Sequence, residues 1–159
     1  MKNKSILKIL LIILLAISLI FFIRWNSDLN KNNRNLSEKL LSFDPNTSGI
    51  GGELFTFDYD MAYAFDPYQS KEEMQKEIGF KSRILEQTVS EGMMNILFVK
   101  DDKPLAYLYG YGSNNGYYID LSPGHYLKED LDKRKFKVIE NQVGNSSGSE
   151  KTYLNYIID

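Results

Sequence analysis

Acidic side chains between positions 58 and 66 are the first groups in this sequence that could do chemistry. Asp58, Asp60 and Asp66 stand close together, and paired carboxylates bind calcium or act as general acid and base. The spacing does not fit a calcium-binding EF-hand loop, because Ala62 stands where an oxygen ligand is needed and Tyr63 where a glycine is needed. We therefore interpret Asp58 and Asp60 as residues of a solvated strand edge.

The chain has no cysteine and a single histidine, His125. Thiol nucleophiles, disulfides and metal sites built from several histidines or thiolates are therefore excluded. His125 follows a Ser-Pro-Gly loop and could serve as a general base, but no serine has the glycine frame of a nucleophile elbow. The sequence thus predicts a protein that is not an enzyme and that needs no metal or cofactor. The alternative is a hydrolase that acts on cell-wall material and uses Asp58, Asp60 or His125.

Tyrosines occupy every second position of the segment LAYLYGYG. They would share one face of a strand, while small or aliphatic residues alternate with them on the other face. If helices pack on the small-residue face, the tyrosines line a surface on which a protein or a sugar could bind. The competing interpretation is that they pack, half-buried, against cross-strand neighbours. The predicted partner-binding residues are Tyr107, Tyr109, Tyr111, Tyr118, Asp58 and Asp60.

Local patterns predict the elements that position these groups. Alternating aromatic residues predict a strand over 53–60. The capping box of Ser70 and Glu73 predicts the start of a helix, and Gly79 its end. Apolar residues at helical spacing predict a second helix within 81–95.

Strands dominate the second half of the chain. The sequence predicts a hairpin of 96–100 with 105–111, followed by a Ser-Asn-Asn-Gly turn and a returning strand at 117–121. The charged segment 125–136 predicts one or two helical turns, and a last hairpin is predicted around 144–150. Hairpin-linked strands with segregated helices indicate an α+β fold, with an antiparallel sheet of about six strands and two or three short helices toward one face.

Residues 1–25 are predicted to be a transmembrane anchor. Positions 6–23 give a helix about 27 Å long, close to the thickness of bilayer hydrocarbon. Lys8 can snorkel at one interface, while Arg24 and Trp25 suit the other. The alternatives are a cleaved signal peptide, although no small residues stand directly after the apolar run, and a buried helix of a soluble protein. The amino-terminal lysines predict a single-pass protein with its amino terminus in the cytoplasm and its carboxy-terminal domain outside.

Residues 26–52 are rich in asparagine and serine and are predicted to be a polar tether with two helical turns at 37–43. Residues 53–159 are predicted to be the extracytoplasmic domain. Residues 32–159 carry 14 basic and 20 acidic side chains, a net charge of about −6. Nucleic-acid binding is not expected from such a charge.

The anchor, the tether and the cysteine-free domain together have a composition that resembles that of small exported proteins of Gram-positive bacteria. The missing catalytic patterns, the negative domain and the tyrosines predict a binding module that captures a protein partner outside the membrane. One form of this prediction is an immunity protein that sequesters an exported toxin. The alternatives are the cell-wall hydrolase and an accessory subunit of a membrane complex whose anchor makes the contact.

Overall fold

The computed structural model describes residues 2–25, 27–144 and 150–159, and side chains within 9–20, 27–144 and 150–159. The first helix, α1, runs Lys2–Trp25, and its described side chains, at positions 9–20, are exposed. No helix in the described part of the chain is both long and apolar enough to cross a membrane. We predicted Lys8, Arg24 and Trp25 at the membrane interface, and the side chains of these three residues are not among those that the structure describes.

The rest of the described chain combines short helices with strands. The further helices are α2 Asp28–Leu41, α3 Gly51–Leu54, α4 Lys71–Ile78, α5 Gly112–Asn115 and α6 Lys128–Leu131. The strands are β1 Ser48–Ile50, β2 Met61–Ala64, β3 Met93–Lys100, β4 Lys103–Tyr111, β5 Tyr117–Asp120, β6 Gly124–Leu127, β7 Lys135–Gly144 and β8 Glu150–Ile158.

The strands form two sheets of four. Sheet I has the order β1-β7-β8-β5, in which β5 pairs parallel to β8, and sheet II has the antiparallel order β4-β3-β2-β6. The predicted α+β class is confirmed, but the single sheet of about six strands is wrong. Strands β1, β2 and β6 were not predicted: β1 is only three residues long, β2 follows the segment 53–60 that was predicted as the strand, and β6 lies in a segment whose charges indicated helix.

The main core contains buried residues from both sheets and from α2. Alternate residues of β3 and β4, such as Phe98 and Ala106, point into it. The opposite face of sheet II packs on a second, smaller core that includes Met74 and Ile78 of α4 and Leu85 of the following loop. Sheet II is therefore covered on both faces.

The predicted tether is wrong for residues 28–41, which form α2. Leu36 and Leu40 lie one helical turn apart and are both buried in the main core. The side-chain amide of Asn32 donates to the carbonyl of Leu105, and the amide of Tyr107 donates to the Asn33 side chain. Asn32 and Asn33, which we predicted to be linker residues, therefore hydrogen-bond to backbone groups on the free edge of β4.

Two further predicted elements are wrong. Residues 55–60 are irregular rather than extended, yet Phe55 and Tyr59 are buried because both rings pack against Phe98. The segment 81–92 is a loop and not a helix. Side chains from elsewhere in the domain hydrogen-bond to its backbone. The spacing of the segment's own apolar residues gives no sign of those contacts.

The segment 105–120 is not a hairpin. Strand β4 belongs to sheet II and β5 to sheet I, and the turn α5 carries the chain between them. Gly112 permits this crossing, since a Cβ there would lie 2.7 Å from the ring of Tyr153. Gly116 then ends the turn with a φ of 81°, in the left-handed region that glycine favours.

Helix α4 is confirmed from its start to its end. The Ser70 hydroxyl accepts from the backbone amide of Glu73, the Glu73 carboxylate accepts from the amide of Ser70, and Gly79 closes the helix with a φ of 81°. This short helix was predictable because both ends are encoded by residues within the segment.

Gly79→Ala should lower the free energy of unfolding by about 1 kcal/mol, because an L-residue pays that much to hold the left-handed conformation. No atom lies within 4 Å of the added Cβ, so the loss would report backbone strain alone. Gly144→Ala is the matched control, since its added methyl also meets nothing within 4 Å and its φ is not positive. Urea unfolding of the full chain measures both, and equal stability of the two variants would contradict the assignment.

Candidate functional surface

The tyrosines of β4 lie on the face of sheet II that points away from the main core. Ala106 and Leu108 are buried on the core side, whereas the rings of Tyr107 and Tyr109 stack side by side with centroids 5.8 Å apart. The predicted division of the strand into a small-residue face and a tyrosine face is therefore observed. The loop 80–92 and α4 cover part of the tyrosine face.

Tyr107 holds this loop in place. Its hydroxyl donates to Oδ1 of Asn95 over 2.8 Å and accepts from the backbone amide of Glu86 over 3.0 Å. Asn95 is buried and donates in turn to the carbonyl of Glu86 over 3.1 Å. Burial raises the pKa of Tyr107, so the phenol stays a neutral donor. Tyr107 is thus a structural residue of the surface and is itself partly buried.

Tyr109 continues the same network toward the neighbouring loop. Its hydroxyl donates to the carbonyl of Gln87 over 2.8 Å, and the Gln87 side chain donates to the carbonyl of Tyr68 over 2.8 Å. The amide of Tyr68 donates to the buried Thr88 hydroxyl over 2.9 Å. Burial and the carboxylate of Glu86 raise the pKa of Tyr109. Two loops are therefore fastened to β4 through hydrogen bonds between side chains and backbone.

Apolar side chains stand exposed at the rim of this network. Tyr68 is 52% exposed, Val89 is 72% exposed and Tyr111 is 37% exposed. Glu86 and Glu91 are exposed on the same loop, and no lysine or arginine lies between them in the sequence. We name these five residues, Tyr68, Glu86, Val89, Glu91 and Tyr111, the acidic aromatic surface.

Sequence reasoning found Tyr111 but missed Tyr68 and Val89. Tyr68 has a φ of 65°, an uncommon conformation for a bulky residue that turns the chain after Pro67. Val89 is one of the apolar residues at helical spacing that predict a helix within 81–95, but it lies in a loop. A tyrosine directly after an Asp-Pro turn was the one available signal for an exposed aromatic side chain.

The other predicted partner-binding residues lie elsewhere. Tyr118 is on β5, beside Asn155 of β8 in sheet I. Asp58 forms an ion pair with Lys100, and Asp60 accepts from the amide of Asp101 over 3.1 Å. Both aspartates therefore lie at the β3–β4 turn. This turn and Tyr111 are at opposite ends of β4, about 27 Å apart along an eight-step strand.

Asp58 and Asp60 line a shallow groove of about 460 Å³ together with Lys128 and Asp132. The ammonium of Lys128 lies 2.6 Å from Asp132, whose carboxylate also accepts from the hydroxyl of Tyr59. The hydrogen bond and charge of Lys100 lower the pKa of Asp58. A carboxylate with a lowered pKa stays ionised and is a poor general acid near neutral pH.

Lys100→Met should raise the pKa of Asp58 toward its ordinary value of 3.8, because the hydrogen bond and charge that lower it are removed. In the native protein, stability from this pair is present above the unfolded-state pKa and is lost as pH falls through the lowered folded-state pKa. NMR titration of the Asp58 carboxyl measures the change. Lys103→Met removes a neighbouring charge without a contact to Asp58, so an equal shift in that variant would contradict the assignment.

His125 lies in β6 and not in a loop. It stands opposite Tyr63 of β2, and its Nε2 is 2.7 Å from the Glu77 carboxylate. The structure does not bring His125 to the groove of Asp58 and Asp60. Within the described residues, no group of three or more potential ligands is arranged to hold a metal ion.

Comparison with protein-family models, with curated proteins and with solved structures returned no match. A proposal for function therefore depends on the geometry and charge of the chain itself. The acidic aromatic surface combines exposed apolar side chains with a loop whose backbone is hydrogen-bonded to Tyr107 and Tyr109.

Proposed function

We propose that this chain is a membrane-anchored binding module that captures a protein partner outside the membrane through the acidic aromatic surface. The supporting observation is that Tyr68, Val89 and Tyr111 are exposed, while the loop of Val89 is hydrogen-bonded to Tyr107 and Tyr109 of β4, the strand that ends in Tyr111. Side chains presented on a fixed backbone lose little conformational entropy on binding. Exposed tyrosines supply the large contact area typical of binding hot spots.

The anchor is proposed to be residues 6–23. Its support is the uncharged apolar run of the sequence and the exposure of the described side chains at 9–20, which are apolar except for Ser18. A helix that is apolar all round needs an apolar surrounding. The basic amino-terminal flank supports an orientation with residues 27–159 outside the membrane.

The partner is proposed to be a basic exported protein, and the chain would then act as an immunity protein toward an exported toxin. The support is the excess of acidic side chains in residues 32–159 and the two carboxylates, Glu86 and Glu91, on the acidic aromatic surface. Charge complementarity of this kind accelerates encounter and excludes acidic competitors. Salt should therefore slow association more than it speeds dissociation.

Affinity capture with the full chain in detergent tests this proposal against the exported proteins of the organism that encodes it. Wild-type chain should retain one basic protein, and the double variant Val89→Arg with Tyr111→Ala should retain about tenfold less or lower. Leu127→Ala is the matched control, because Leu127 is a similarly exposed apolar residue on β6. Equal capture by the double variant would show that the acidic aromatic surface is not the binding site. If the wild-type chain captures no specific protein, the proposal that it is a binding module is wrong.

The groove of Asp58 and Asp60 carries the second candidate function, a hydrolase acting on cell-wall material. Its support is that both carboxylates line one open groove with Lys128. Hydrolysis of purified cell wall by the full chain, abolished in Asp60→Asn, would favour this candidate over the binding module.

A further inference from the structure

The outer face of sheet I, which points away from the main core, is a second surface with its own pattern. Inward-pointing residues of β7 and β8, such as Val138 and Tyr156, are fully buried. The residues between them face outward. In the central part of the sheet they are Lys137, Ile139, Asn155, Ile157, Tyr118 and Asp120.

These six residues form two rows across the sheet, centred on β8. In one row Ile157 stands between Lys137 of β7 and Asp120 of β5. In the next row Asn155 stands between Ile139 of β7 and Tyr118 of β5. The first row thus has an apolar centre with a positive end and a negative end, and both charged residues are exposed. Neither has an ion-pair partner within the part of the chain that the structure describes.

We propose that a second copy of this chain packs face to face on sheet I, with a two-fold axis parallel to β8. Rotation about this axis exchanges the β7 side of the face with the β5 side. Lys137 of each copy then meets Asp120 of the other, so the two charged contacts form twice in one isologous interface. Ile157 then meets its own counterpart at the centre of the interface.

The charge pattern selects this occupant over others. An anionic lipid surface or an acidic protein would attract Lys137 and repel Asp120. A second copy satisfies both residues because the row is complementary to itself under the two-fold rotation. This inference goes beyond the proposed function, since it concerns contact between two copies of the chain through sheet I.

Charge reversal tests the pairing in the full chain purified in detergent, with the monomer–dimer equilibrium measured by sedimentation. Lys137→Asp and Asp120→Lys should each weaken dimerisation about tenfold or more, because each places two like-charge contacts in the interface. The variant with both substitutions should dimerise as wild type does, and so should an equimolar mixture of the two single variants. Glu140→Lys is the matched control, because Glu140 is exposed on β7 but belongs to the opposite face.

Each remaining outcome overturns the proposal. A monomeric wild type, single variants that dimerise normally, or a mixture that does not recover would each exclude the two-fold contact of Lys137 with Asp120. Association through α1 alone would leave both single variants dimeric and would exclude it as well. Thermal unfolding by circular dichroism verifies that the variants are folded, and both substituted residues are exposed. Failure of this proposal would leave capture through the acidic aromatic surface intact.

Discussion

Replacing Leu40 with alanine should lower the free energy of unfolding by about 3–5 kcal/mol, the cost of emptying a fully buried leucine site. Leu40 lies on α2, is 0% exposed and belongs to the main core. The hydroxyl of Tyr156 donates to the carbonyl of Leu40, which ties the end of α2 to sheet I. A loss of this size would establish that residues 28–41 are part of the folded domain and not a tether.

Leu41→Ala is the matched control for this prediction. Leu41 is the next residue of the same helix but is 52% exposed, so its truncation should cost less than about 1 kcal/mol. Urea unfolding of the full chain, followed by tyrosine circular dichroism, measures both variants. Equal and small losses would contradict the burial of α2.

Asn95→Ala should lower the free energy of unfolding by about 2–4 kcal/mol, because two polar groups lose their buried partner. The substitution removes the shorter of the two hydrogen bonds that the Tyr107 hydroxyl can donate, and it removes the side-chain donor to the Glu86 carbonyl; only the longer contact of 3.3 Å between that hydroxyl and that carbonyl is left. It should also release the loop that carries Glu86 and Val89. Amide hydrogen exchange at Glu86, whose backbone amide donates to Tyr107, should accelerate together with the loss of stability.

Asn141→Ala controls for the general effect of removing an asparagine side chain. Asn141 is only partly buried and makes one long hydrogen bond, 3.3 Å to the hydroxyl of Tyr153. Its truncation should cost less than about 1 kcal/mol and leave exchange at Glu86 unchanged. Accelerated exchange in both variants, or in neither, would show that Asn95 does not hold the loop.

Local signals explain the parts of the fold that the sequence predicted. Helix α4 carries its own capping box and its own glycine stop, and β3 and β4 are joined by a tight turn within one segment. The last hairpin, β7 with β8, is likewise local. Each of these elements is decided by residues that are close together in the sequence, so pattern and propensity were sufficient.

The parts that were wrong depend on distant contacts. Asn32 and Asn33 look like linker residues until β4, more than seventy positions away, offers backbone groups for them to pair with. The loop at 81–92 has helical spacing, but hydroxyls of Tyr107 and Tyr109 compete for its backbone. The partner of β5 is β8, and no local feature of the segment 105–120 indicates that strand.

The candidate surface was partly predictable for the same reason. The alternation of tyrosines with smaller residues along β4 predicts that the tyrosines share one face, because side chains of a strand point to the same face at every second residue. This arrangement is observed. Alternation could not show that Tyr107 and Tyr109 hold loops while Tyr111 faces outward. It also could not place Tyr68 and Val89 beside them, since both lie on irregular backbone whose path depends on those tyrosines.

Capture of a protein through the acidic aromatic surface can be tested by photo-crosslinking in the native membrane, with the photoreactive residue benzoylphenylalanine in place of Val89 or of Tyr111, one at a time. We expect one discrete adduct with the same basic exported protein from both positions, and no such adduct when the probe replaces Leu127 on β6. Absence of an adduct from both positions, or an equal adduct from position 127, would contradict capture of a protein through the acidic aromatic surface.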